Sequence, residues 1–295
     1  MKRIAVCSVL LAGLIAPHLV HAQMARELKD ITYAMAEAAP LGLDLHMPAG
    51  VSKPPLLVWV HGGAWSQGTK ANYPKEFVER GFAVASLDFR QTTQAPFPAN
   101  VQDIKAAIRF LRAKAGDYGY AAERIAIAGA SSGGHLAALV GVTNGNAALE
   151  GKEGNYLNHS SSVQAIISYF GASDLNTILA QSTPFGLKVR EPALDRLLGA
   201  LPDRAKDLAT LASPVTHVDR TDPPLLLFHG DQDPQMPINQ SHELQGAYQK
   251  AGLEVDFQVV HGAAHGGDVF FNGERLDRAV DFLNRTIGRG ARAGS

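Results

Sequence analysis

Residues 125–142 change their hydrophobic period halfway. "IAIAG" is an apolar run suited to a buried strand, and the segment from Ser132 to about Val142 has a helical pattern. Between them lies Gly129-Ala130-Ser131-Ser132-Gly133, five small residues in succession. A chain that turns this tightly from strand to helix must bring the helix almost onto the strand. That requirement selects a layered α/β architecture.

The rest of the chain repeats the rhythm. Short β-forming runs occupy 55–61, 82–88, 163–171, 224–230 and 255–262, and helical patterns fall between them at 73–80, 99–115, 237–251 and 275–287. In 99–115, Val101, Ile104, Ala107, Ile108 and Leu111 share one face. A hairpin is expected at 31–36 and 42–47, turning at Pro40 and Gly42. The expected fold is a mostly parallel, doubly wound sheet of about eight strands. Residues 172–213 interrupt the alternation with Pro184, Pro192 and Pro202 and short helical patches, which predicts a small cap inserted above the sheet.

The first residues read as a leader rather than fold. Lys2 and Arg3 precede an apolar run, and Val20-His21-Ala22 offers small residues at a cleavage site before Gln23. A signal peptide over 1–22 and one domain over 23–295 are therefore expected, with a periplasmic or secreted product and no membrane partner after cleavage. Cys7, the single cysteine, lies in the leader, so the mature chain has no disulfide to rely on. A formal net charge of −1 gives no sign of a nucleic-acid partner. The tail after Ile287 is expected to fray.

Gly129-x-Ser131-x-Gly133 fits G-x-S-x-G, the strained turn that exposes a nucleophilic serine between strand and helix. The rival reading, a phosphate-holding turn, would bring a lysine after the glycines or G-x-G-x-x-G, and neither is present. The relaxed pattern A-x-S-x-G would accept Ser132 instead. The strict pattern selects Ser131 and makes the Ser132 N–H an oxyanion donor. A serine hydroxyl needs a base, and the base an orienting carboxylate. Asp233 follows the strand at 224–230, and His265 follows the strand at 255–262; both lie where parallel strands present their carboxyl ends. Asp231 remains an alternative acid, otherwise a turn-capping residue. His261 is expected to pack at its strand end, and His229 and His135 to be structural. None of these histidines is read as a metal ligand, and no metal or cofactor is expected. "VWVHGGAW" supplies a second oxyanion arm, with Gly63 and Ala64 as donors and Trp65 as a wall of the substrate site. Asp103 either orients this loop or is a solvated helix residue. Phe97 and Tyr169 either line an acyl or aryl pocket or belong to the core.

"HGGAW", the run from "APFPANVQDIK" to "AGASSGGHLAAL", "SPVTHVDRTDPPLLLFHGDQDPQMP" and "GAAHGG" together resemble the carboxylesterase branch of the α/β-hydrolases. The likeness is to bacterial acetyl and feruloyl esterases near the hormone-sensitive-lipase-like enzymes. It implies Ser131, Asp233 and His265 as triad, Gly63, Ala64 and Ser132 around the oxyanion, and residues 144–162 as a variable rim of the site. It also implies a small-molecule or polysaccharide-linked ester as substrate. Two positions depart from the family: Ser132 stands where Ala is usual, and Met236 where Val is usual. A formamidase or a serine peptidase could share the fold, although such peptidases usually carry a large N-terminal propeller. A catalytically inactive binding protein would be expected to lack a triad member, and all three are present.

Overall fold

The computed structural model describes residues 24–36 and 39–288. The expected leader with Cys7, and the tail beyond Gly288, lie outside the described residues. In chain order the elements are β1 (Arg26–Ala36), β2 (Ala39–Met47), β3 (Leu56–Val60), α1 (Glu76–Glu79), β4 (Ala83–Leu87), α2 (Ala99–Tyr118), β5 (Ile125–Ala130) and α3 (Ser132–Gly141). They continue with α4 (Ala147–Glu150), β6 (Ala165–Tyr169), α5 (Ile178–Gln181), α6 (Pro184–Leu198), α7 (Lys206–Leu211), β7 (Leu225–Gly230), α8 (Asn239–Ala251), β8 (Val255–Val260) and α9 (Gly273–Ile287).

The strands form one eight-stranded sheet in the order β1-β2-β4-β3-β5-β6-β7-β8. β3 through β8 are parallel, and β2 runs antiparallel to both β1 and β4. Pro40 and Gly42 are not at the hairpin turn; they pair within β2, opposite Met35 and Thr32.

The apolar runs are continuous because both faces of the sheet are covered. Successive side chains of a strand point to opposite faces. Leu56, Val58 and Val60 of β3 join one core cluster, with Ile125 and Ile127 of β5 and Leu225 and Leu227 of β7. Leu57 and Trp59, Ala126 and Ala128, and Leu226 and Phe228 join the other. α2, α3, α6 and α8 cover the first face, and α1 and α9 the second.

The segment 172–213 is more regular than its prolines suggest. Thr183 caps α6 by accepting from the Gly186 N–H at 3.0 Å, and Pro184 occupies the first turn, where no intrahelical donor is needed. Leu194 and Leu197 of α6 are fully buried in the main core, so this insertion shares the sheet's core. At 73–80 only one helical turn forms, α1.

Candidate active site

Four loops, at the carboxyl ends of β3, β5, β7 and β8, converge. The elbow after β5 places Ser131 at φ 57°, ψ −123°, a conformation costly for a residue with a Cβ. Its flanking glycines are required by close approach. A Cβ on Gly133 would lie 2.1 Å from the Val60 carbonyl oxygen, and one on Gly129 2.3 Å from the Gly133 oxygen. The elbow is also tied by the Ser131 N–H donating to Tyr169 O at 2.9 Å.

Ser131 Oγ lies 2.8 Å from His265 Nε2. On the other side of the ring, His265 Nδ1–H donates to Asp233 Oδ2 at 2.6 Å. That bond puts the proton on Nδ1 and leaves the Nε2 lone pair facing the hydroxyl. Asp233 is fully buried. Burial alone would raise its pKa, yet hydrogen bonds from His229 and His265, the charge of His265 and the Met236 N–H hold the carboxyl well below the usual range. Oδ1 accepts from the Gln235 N–H at 2.8 Å and the Met236 N–H at 2.9 Å. The sequence reading missed Phe170, whose ring stands edge-on to His265 at 4.9 Å and is backed by Phe270 at 4.8 Å. No local pattern at the end of β6 announces that role.

The other acid and histidines separate cleanly. Asp231 accepts from the Gly262 N–H at 2.7 Å and pairs with His261 Nδ1 at 2.8 Å, away from His265. It is the turn cap. His261 is 84% exposed at its side chain and not packed as expected, because β8 ends at Val260 and the chain turns outward. His229 is buried; Nε2–H donates to Met236 O at 3.0 Å and Nδ1 accepts from Ser241 Oγ at 2.7 Å. His261 and His265 stand four residues apart, a spacing seen in helical metal sites, but here they serve different carboxylates. Among the described residues no group of three His, Cys, Asp or Glu side chains is arranged for a metal ion.

The loop after β3 abuts the elbow: a Cβ on Gly62 would lie 3.3 Å from Ser131 Cβ. Gly63, Ala64 and Trp65 all have positive φ, at 125°, 51° and 59°. The loop's carbonyls are engaged elsewhere. Gly62 O accepts from His61 Nδ1, Gly63 O from the Ser66 and Gln67 N–H groups, and Trp65 O from the Thr92 N–H. The N–H groups of Gly63 and Ala64 make no hydrogen bond to the protein among the described residues, nor does that of Ser132 at the start of α3.

Trp65 does not form an open wall. It is 1% exposed, and its Nε1–H donates to His135 Nδ1 at 3.0 Å. Burial lowers the His135 pKa to about 4, so the ring stays neutral and its Nε2–H donates to Ala212 O at 2.7 Å. From α6, the buried Arg190 guanidinium lies 5.9 Å from the centre of the Trp65 ring. Trp65 therefore props the loop from beneath.

Asp103 is not solvated; it is fully buried. It accepts from the Arg90 N–H at 2.8 Å, from Nε at 2.9 Å and from Nη2 at 2.6 Å. The segment it holds reaches the loop after β3 through Thr92 N–H to Trp65 O at 2.8 Å and Gln91 Nε2–H to Gly68 O at 2.9 Å. Asp103 thus positions that loop through Arg90. Phe97 and Tyr169 are both buried in the core. The 144–162 loop bonds to α2 and Arg90 and not to the triad: Arg109 grips Glu150 and Glu153, and Arg90 pairs with Glu153. Met236 is fully buried, with its backbone shared between Asp233 and His229.

Comparison with known proteins places the chain among esterases. The BD-FAE family model matches residues 43–248, a span that includes the loop after β3, the elbow and Asp233 and ends before His265. Esterase LipQ of Mycobacterium tuberculosis is 31% identical over 297 residues, spanning 95% of this chain and 68% of LipQ. A truncated carbohydrate esterase from gut microbiota superposes with a TM-score of 0.78 at 31% identity, covering 90% of this chain and 97% of that one. A bifunctional GH43-CE protein of Bacteroides eggerthii gives 0.77 at 35% identity, covering 88% of this chain and 35% of that one. The chain belongs to the BD-FAE family and so to the esterases of the α/β-hydrolase fold.

Proposed function

We propose that the chain is a serine carboxylesterase that cleaves short-acyl or aryl esters through a covalent acyl-enzyme. The continuous hydrogen-bonded line from Ser131 through His265 to Asp233, at 2.8 and 2.6 Å, carries this reading. Ser131 Oγ attacks the ester carbonyl while His265 Nε2 takes its proton. The developing oxyanion is held by the N–H groups of Gly63, Ala64 and Ser132, each contributing on the order of 3 kcal/mol. As the tetrahedral centre collapses, His265 gives the proton to the departing alcohol. Water activated by the same ring then releases the acid. Asp233 fixes the tautomer and stabilises the imidazolium.

Acetyl or feruloyl esters of plant polysaccharides are the proposed substrates. The likeness to carbohydrate esterases supports this choice. An exported enzyme, processed after Ala22, would meet such polymers, and N-terminal sequencing of the mature protein tests that location. The substrate reading is tested with nitrophenyl esters of increasing chain length, run beside acetylated xylan and methyl ferulate. Turnover of acetate or ferulate esters is expected. Preferential cleavage of a formamide or a peptide would move the protein to another hydrolase class.

A further inference from the structure

Beside the elbow lies a cleft of about 370 Å³, bounded on the catalytic side by Gly62 and Ala130. Each of these residues immediately precedes one that the mechanism uses, Gly63 and Ser131. We propose that this cleft is the subsite for the sugar that carries the ester, an inference that rests on the serine-esterase reading above.

Reaction geometry argues for the leaving-group side. The oxyanion must face Gly63, Ala64 and Ser132, and the departing oxygen must lie within reach of His265 Nε2. One wall of the cleft is the continuation of the His265 loop, Asp268 and Phe271. The proposed path of the departing alcohol runs from His265 along that loop to this wall.

The lining suits a polyhydroxylated ring. Trp59, Tyr73 and Phe271 supply apolar faces, and each is braced. Trp59 Nε1–H donates to Asn72 O at 2.8 Å, Trp59 and Phe271 meet edge-on at 5.8 Å, and His46 stacks on Tyr73 at 3.8 Å. Asn72, Glu76 and Asp268 also line the cleft, and their side chains make no hydrogen bond or ion pair among the described residues. Two carboxylates offer only acceptors, and the amide offers both kinds of group. Their complement is a ring of hydroxyl donors with an apolar face. A plain hydrocarbon alcohol would use the aromatics and leave the polar groups idle. Rigid aromatic surface with a few convergent polar groups is the usual composition of a small-ligand site.

The test compares an acetylated methyl xyloside with ethyl acetate, whose alcohol is too small to fill the cleft. In Glu76→Gln and in Tyr73→Ala, the ratio of kcat/KM for the sugar ester to that for ethyl acetate should fall about tenfold or more, the effect of one lost charged hydrogen bond or ring contact. An unchanged ratio in both variants overturns the proposal. Glu76→Gln is nearly isosteric and reads the site even if Tyr73→Ala fails to fold. Calorimetric binding of the acetylated xyloside to Ser131→Ala, weakened in Ser131→Ala/Glu76→Gln, reads the cleft without turnover. Binding there with no hydrolysis of either ester by the unaltered chain would sink the esterase reading and leave the subsite standing. Binding that Glu76→Gln does not weaken would sink the subsite alone.

Discussion

His265 Nε2 lies 2.8 Å from Ser131 Oγ, although 134 positions separate the two residues in sequence. The contact exists because β5 and β8 end on the same edge of one parallel sheet, which gathers their loops. The hydroxyl is held there by a backbone conformation that the surrounding glycines and the Tyr169 carbonyl enforce.

The two candidate acids differ in what they touch, and variants should separate them. Asp233→Asn should lower kcat by about 10⁴, because an amide at that place favours the wrong tautomer of His265. Asp231→Asn should leave kcat/KM within about twofold, because Asp231 holds only the turn at Gly262 and the exposed His261. Steady-state hydrolysis of nitrophenyl acetate reads both.

Gly133→Ala tests the closeness of the elbow to β3. The new methyl would sit 2.1 Å from the Val60 oxygen and 2.5 Å from that of His61, both backbone atoms that cannot swing aside. A loss of about 3 kcal/mol or more of stability is expected, read by chemical denaturation.

Asp103→Ala should act at a distance. It leaves Arg90 without its buried partner and should cost about 3 kcal/mol or more. It also frees the segment that holds Trp65 O and Gly68 O. At temperatures where the variant is folded, kcat should fall more than KM rises, since the loop's donors act on the transition state.

Asp222 gives stability a pH dependence. Burial pushes its carboxyl up to about 7, against the opposing hydrogen bond from the Asp219 N–H. The folded chain thus keeps a proton that the unfolded chain releases near the ordinary carboxylate value. Stability attributable to this site therefore falls as pH rises from that value to about 7. Asp222→Asn should melt higher than the unaltered protein at about pH 8, and the gap should close toward about pH 4. Differential scanning fluorimetry across that range checks the sign.

Much of the site was readable because strained turns need particular residues. Gly129 and Gly133 reveal the elbow since no side chain fits there, and the position of His265 after a β-run follows from strand order. What burial decides was not readable. Trp65 reads as an open wall, yet His135 and Arg190, which hold it from beneath, come from distant segments. For Asp103 the sequence leaves a loop-orienting and a solvated position equally open, because its partner Arg90 reaches it from the loop after β4. The Thr183-Pro184 pair did carry a helix-start signal, and Pro192 masked it by suggesting a break within what is a helix of 15 residues.

The most direct measurement is site mapping with a fluorophosphonate probe, which reacts only with a serine activated by its neighbours. Peptide mass spectrometry should place the adduct on Ser131, with none in Ser131→Ala and a strongly slowed reaction in His265→Ala. An adduct on Ser132, or one that persists in Ser131→Ala, would contradict the account.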